Sequence, residues 1–238
     1  MKRFYDAVDI CEVTQANGAS AYQVTLDGRG LKTVQTTPQI VPQKALALAL
    51  ASEWHNQSED IDLASFPLRD MVDYAIDVVA ADPEAVAGKL VDYADTDTLL
   101  YRADPDEALY ARQQAEWEPI VSAFEQREGV SLKRVSGIVH VKQDEAALAK
   151  LHGRLSALDP FVLVGVEAMT NLAASLITGL GAVEPDAEPA ALWDAASLEE
   201  EWQADQWGRD TEAEARRTKR KRDFLKACEF TRLARCME

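Results

Sequence analysis

Apolar and polar residues alternate with a period of two early in the chain. Tyr22, Val24 and Leu26 alternate with Gln23 and Thr25, Asp27-Gly28 interrupts, and Leu31 to Thr36 resumes with Thr and Val. Such alternation on both sides of an Asp-Gly step is a hairpin signal, because the tightest hairpin turn needs positive φ at its two central residues. With Gly18 and Pro38 punctuating the flanks, residues 1–41 are expected to be β-rich. Two or three strands are not stable alone, so this small sheet must pack on something else.

From Pro42 the period becomes helical. Leu46, Leu50 and Trp54 fall four apart, and Leu68, Met71, Val72, Ala75, Ile76 and Val79 trace one apolar stripe, as on a helix with one buried face. Asp82-Pro83 has the form of an N-cap followed by proline at the first helical position. Asp104-Pro105-Asp106-Glu107 predicts another helix start, running past Leu109 and Gln113, with a kink or restart at Pro119. Residues 129–142 are rich in β-branched side chains (Val130, Val135, Ile138, Val139, Val141) and predict a short strand or an extended connection. A helix through Leu148, Leu151 and Leu155 should end near Asp159-Pro160. Phe161 to Leu180 is apolar on nearly every side; its Glu167, Asn171, Thr170, Ser175 and Thr178 favour a helix buried in a protein core over a membrane span. After an acidic loop at 181–189, residues 190–235 predict two helices meeting at Gly208, with Thr211 and Glu214 at capping-box spacing. The predicted class is α+β: a β-rich N-terminal domain over 1–41 packed on a larger all-α domain over 42–238.

Composition narrows the function more than the fold. The chain has 238 residues, 47% hydrophobic and 28% charged, close to globular averages and far from the composition of disorder. Lys and Arg total 25 against 41 Asp and Glu, a formal charge of -16. That balance argues against nucleic acid, whose phosphates are bound by clustered cations; it would attract a basic protein surface, or serve only to keep the protein in solution. Cys11, Cys228 and Cys236 form no CxxC or zinc-like set with His55, His140 and His152, and an odd count argues against a disulfide framework. With no apolar signal-type run at Met1 to Ile10, the expectation is a bacterial cytoplasmic protein without membrane insertion.

Motifs of catalysis are missing: there is no GxxxxGK[ST], no GxGxxG opening a helix, no HExxH and no GxSxG. Asp92, Asp95 and Asp97 lack the Gly and terminal Glu of a calcium loop, and a helix end with its following cap accounts for them. No metal and no cofactor is expected. The six bases Arg216, Arg217, Lys219, Arg220, Lys221 and Arg222 could form a binding patch, but they follow acids on one helix, an arrangement that the macrodipole and solvent favour. The densest feature is Ser197 to Asp210, where Glu199, Glu200, Glu201, Asp205 and Asp210 surround Trp202, Gln203 and Trp207. Its tryptophans can anchor the helix on the core with the acids solvated, or mark an interface, since Trp beside charge has the composition of a hot spot.

Several short elements in fixed order carry a resemblance. They are Arg3-Phe4-Tyr5, Leu26-Asp27-Gly28-Arg29, Leu31-Lys32-Thr33, Val41-Pro42, Glu53-Trp54 with Gln57, Pro67, Ala75-Ile76-Asp77, Tyr93-Ala94, Thr96-Asp97, Leu100-Tyr101-Arg102-Ala103, Gln113, Trp117 and Pro119. Glu200, Gln203, Trp207-Gly208, Asp210 and Glu212-Ala213 close the series. In these the chain resembles the assembly chaperones for the alpha subunit of F1-ATPase, found in mitochondria and alphaproteobacteria. It departs at Val34, Phe66 and around Thr170, positions of turn geometry and core packing. A monomer is expected, and the resemblance implies a β-rich domain on a larger helical one, no nucleotide hydrolysis, and binding of the unassembled ATP synthase alpha subunit until the beta subunit displaces it. It also implies that the binding role falls on the acidic helix, on Glu199, Glu200, Glu201, Trp202, Gln203, Asp205, Trp207 and Asp210, with Glu200 and Asp210 best matched. The competing expectations are an enzyme with a site in the cleft between the domains and a nucleotide-binding regulator using Arg29 and Lys32.

Overall fold

The computed structural model describes residues 1–15, 18–137 and 139–235; Ile138 and Cys236, both invoked above, lie outside them. The class is α+β. Strands β1 (Val8–Thr14) and β2 (Ser20–Leu26) pair antiparallel, with Val8 opposite Leu26 and Thr14 opposite Ser20. Strands β3 (Arg29–Gly30) and β4 (Ile40–Val41) both pair with the far edge of β2. Helix α1 (Lys44–His55) lies against β1 and β2 and buries Leu46, Ala47, Leu50 and Trp54. Helix α2 (Pro67–Tyr74) runs on into a π turn, Ala75–Val79. There follow α3 (Pro83–Asp95), β5 (Tyr101–Arg102), α4 (Ala108–Glu128), β6 (Val135–Ser136), α5 (Glu145–Ser156), α6 (Pro160–Ala173), α7 (Leu176–Gly181), α8 (Pro189–Ala196), α9 (Leu198–Trp207) and α10 (Thr211–Ala234). The short strands β5 and β6 pair in parallel.

Two compact units result, one of Met1–Pro83 with Asp159–Gly165 and Glu229–Glu238, the other of Glu84–Leu158 with Val166–Cys228. Within the first, the hairpin turn forms at the Asp-Gly step, with φ of 49° at Asp27 and 76° at Gly28. The Asp27 carboxylate accepts the backbone N–H groups of Ala7 and Asp6, which hold its carboxyl below the usual carboxylate range. The Tyr5 hydroxyl donates to the Trp54 carbonyl at 2.6 Å. From α1, Glu53 receives the N–H groups of Leu68 and Arg69 at the start of α2, and Phe66, fully buried, packs its ring 4.6 Å from Trp54.

The return strand of the hairpin stops at Gly30 and does not continue to Thr36 as the Thr- and Val-rich run predicts. The Gln23 side chain crosses Gly30, where any Cβ would overlap it, and donates to the Leu31 carbonyl. Asp77 then gathers the Thr33 hydroxyl and the Gln35 N–H, closing residues 33–36 into a turn with Val34 exposed.

In the second unit, α4 starts later than expected, at Ala108. Residues 104–107 form a turn closed by the Glu107 N–H on the Asp104 carbonyl, and the Gln113 side chain takes the Ala103 N–H at 2.8 Å. Pro119 neither ends nor restarts the helix, which runs unbroken to Gly129 at φ 62°.

The expected single helix over 161–180 is two helices. Ala174 takes φ 49°, and Ser175 caps α7 by accepting the Thr178 N–H. Asp97 holds this break in place from a distance in sequence: wholly buried, it accepts the N–H groups of Leu99 and Ile177, each at 3.0 Å. Burial, opposed by these donors, pushes its carboxyl up to about 6. α6 and α7 approach closely enough that a Cβ at Gly179 would overlap the Thr170 hydroxyl.

Candidate functional site

The stretch 190–235 holds three helices, not two, because the chain turns at Ser197 as well as at Gly208. The Ser197 break frees α9 to leave the core: Trp193 and Leu198 are buried, whereas exposure rises along α9 until Trp207 is 80% exposed. Gly208, at φ 94°, reverses the chain, and α10 returns beside α9. The cap of α10 is Asp210, not Thr211: its carboxylate accepts the Ala213 N–H at 2.8 Å. Thr211 is the first helical residue, so the predicted box is offset by one.

Charge on the two helices is largely matched, by pairs within α10, by two pairs from α9 to α10, and by Arg209 in the turn that joins them. Arg209 reaches Glu201 at 2.8 Å, Asp205 at 3.1 Å and Glu214 at 3.3 Å. Arg217 pairs with Glu201 and Glu214. Arg220 pairs with Glu200 at 2.8 Å and donates to the Leu172 carbonyl. The remaining bases of the α10 run are matched as well: Arg216 with Glu212, Lys219 and Arg222 with Asp223, and Lys221 with Asp194. Each exposed pair contributes only about 0 to 1 kcal/mol, but a ladder shared by two helices fixes their register.

Between α9 and α10 lies a groove of about 440 Å³ lined by Glu200, Gln203, Trp207, Gly208, Asp210 and the arginines of α10. The eight residues singled out in the sequence therefore take different positions. Glu199 turns inward and accepts the Gln113 side-chain N–H at 2.6 Å; burial raises its carboxyl above the usual range. Glu200, Glu201 and Asp205 are held by arginines, Asp210 caps a helix, and Trp202 is half-buried. Gln203 and Trp207 alone among the eight stand exposed on the groove without an ion pair or cap to make. Sequence spacing places all eight on one short stretch; the arginine partners that occupy the acids are Arg209 in the turn and Arg217 and Arg220 of α10, where the sequence shows only a run of charge.

Among the described residues there is no group of three or more His, Cys, Asp and Glu arranged to hold a metal, and no helix long and apolar enough to cross a membrane. Asp95 accepts the Gln143 N–H, and Asp97 is the buried cap already described.

Residues 2–125 match the model of the ATP12 chaperone protein family. The chain is 28% identical over 199 residues to the mitochondrial protein atp12 of Schizosaccharomyces pombe, across 78% of this chain and 68% of that protein. Among solved structures, Atp12 from Paracoccus denitrificans superposes with a TM-score of 0.91 at 36% identity, over 98% of both chains. The Atu1473 protein from Agrobacterium tumefaciens does so with a TM-score of 0.89 at 33% identity, over 98% of this chain and 86% of that one.

Proposed function

We propose, from the premise that this chain belongs to the ATP12 chaperone family, that it is a bacterial cytoplasmic assembly chaperone for the F1 head of ATP synthase. In this reading it binds the unassembled alpha subunit and keeps it soluble until the beta subunit takes its place. A ring subunit without its neighbour exposes a large interface, and reversible capping of that interface suppresses nonspecific association by mass action. The role calls for surface complementarity and a finite off-rate, and for no catalytic group.

The docking surface is the outer face of α9 and α10. One observation carries this: Trp207, 80% exposed, stands on the lip of the groove beside Gln203. A large aromatic side chain gains most from burial and is the residue type most enriched among interface hot spots. The ion-pair ladder beneath it supports the reading by pre-ordering the surface, which lowers the entropic cost of binding. The carboxylates then act mainly as framework, and the aromatic supplies most of the contact energy.

Co-expression with free alpha subunit, scored as soluble complex without added nucleotide, tests the proposal. The parent chain should keep alpha soluble. Trp207→Ala should lose at least about 2 kcal/mol of affinity, a hot-spot magnitude, with an unchanged melting temperature. Parental yield and affinity for a folded Trp207→Ala protein would move the docking surface away from this groove.

A further inference from the structure

We propose that a second, apolar groove in the same unit docks a partner segment in which a bulky aliphatic or aromatic side chain is flanked, within one helical turn, by lysine or arginine. The groove has a volume of about 390 Å³ and is walled by Ile120, Ala123 and Phe124 of α4, Ile177 of α7, and Ala191 and Leu192 of α8. None of these residues lines the α9–α10 groove, so this inference does not rest on the reading above.

The chemistry of the rim selects the occupant. Glu184, Asp186 and Glu188 edge the groove. Glu184 is matched by Arg127 at 3.4 Å, whereas Asp186 and Glu188 are exposed and make no ion pair among the described residues. A phosphate- or carboxylate-bearing ligand would meet these acids and be repelled. The volume lies at the small end of ligand pockets, which run from about 300 to 1,000 Å³. It suits one or two side chains in the helix-in-groove manner. A second copy of this chain is disfavoured by the formal charge of -16 and by the pairing of its own basic run on α10. An apolar anchor with basic flanks satisfies both the walls and the rim.

The test uses the full chain and fluorescein-labelled helical peptides of about 15 residues, followed by anisotropy. One peptide places leucine at helical spacing among lysines; a second replaces leucine by alanine; a third replaces lysine by glutamate. The leucine–lysine peptide should bind and the other two should bind at least about tenfold more weakly. Ala123→Trp and Ala191→Trp fill the groove from exposed positions, and each should weaken binding at least about tenfold. Asp186→Asn combined with Glu188→Gln should weaken it by a few-fold and flatten its salt dependence. Trp207→Ala should leave it unchanged. Should one tryptophan variant fail to fold by circular dichroism, the other decides. Failure of the leucine–lysine peptide to bind, equal binding of the alanine–lysine peptide, parental binding by the folded groove-filling variants, or loss of binding in Trp207→Ala would each overturn the proposal.

Discussion

Replacing Asp97 by Asn leaves the size of the buried side chain nearly unchanged and alters its hydrogen-bonding character. One oxygen remains to accept the Leu99 N–H, but an amide NH₂ now faces the Ile177 N–H, which loses its 3.0 Å acceptor. Stranding a buried N–H costs about 1 to 3 kcal/mol, so the variant should be less stable by that amount under mildly acidic conditions. The deficit must then change with pH. The parent carboxyl is raised from 3.8 to about 6 in the folded chain, so the folded state holds the proton more tightly than the unfolded state. The stability tied to that proton is complete below the unfolded value and is lost as pH rises through the folded one. A rise of that size amounts to about 3 kcal/mol overall, of which somewhat less than half, about 1 kcal/mol, falls between about pH 5 and 7.5. That window also stays above the isoelectric point near 4.6. Asparagine does not titrate, and Asp73 and Glu199, also raised by burial, are common to both proteins and cancel. Urea unfolding of parent and variant across the window should therefore show the gap narrowing by about 1 kcal/mol at the higher pH. A gap that widens with pH would mean that the donors around the carboxylate outweigh its desolvation, and would refute the reasoning.

Gly28→Val should cost about 1 to 3 kcal/mol. At φ 76° a β-branched residue is strained, while a Cβ there meets nothing within 4 Å, so the loss is one of backbone conformation alone. At about 2 to 4 °C per kcal/mol for a chain of this size, the melting temperature should fall by several degrees; an unchanged value would contradict the turn. Asp210→Ala should remove about 1 kcal/mol by uncapping α10, seen as faster amide exchange in the first turn near Ala213, and Asp210→Asn should restore protection. Unaltered exchange in the alanine variant would show that the cap carries no stability.

Legibility in the sequence follows how local the cause is. The Asp27-Gly28 turn is readable because both positive φ values and the residues that tolerate them sit in one dipeptide. The helices through Leu46, Leu68 and Leu151 are readable from one apolar face each. Breaks are misplaced wherever their cause lies far along the chain. The division of 161–180 depends on Asp97 receiving the Ile177 N–H, and the late start of α4 on Gln113 receiving the Ala103 N–H. The early stop of β3 depends on Asp77 holding Thr33 and Gln35. A polar side chain that will satisfy a distant backbone group looks, in sequence, like a solvated one.

The same polar side chains explain why the family is easier to read than the proposed docking surface. Most motif residues that carry the resemblance hold the fold: Tyr5 bonds the Trp54 carbonyl, Glu53 the start of α2, Gln57 the Asp62 N–H, and Asp77 the turn at Thr33. Gln113 joins the Ala103 N–H to Glu199, and Trp117 donates to the Ala195 carbonyl at 2.7 Å. These are buried or half-buried constraints, each with a required partner and geometry, so their order is specific to one fold. Docking demands less of each position: an exposed aromatic on a stiff support and a rim of suitable charge. On the acidic helix, five carboxylates stand out by number, yet arginines, a glutamine and a helix end already engage them, and Trp207 stands apart because nothing within the unit covers it. What points to a partner here is the side chain the fold has left unused.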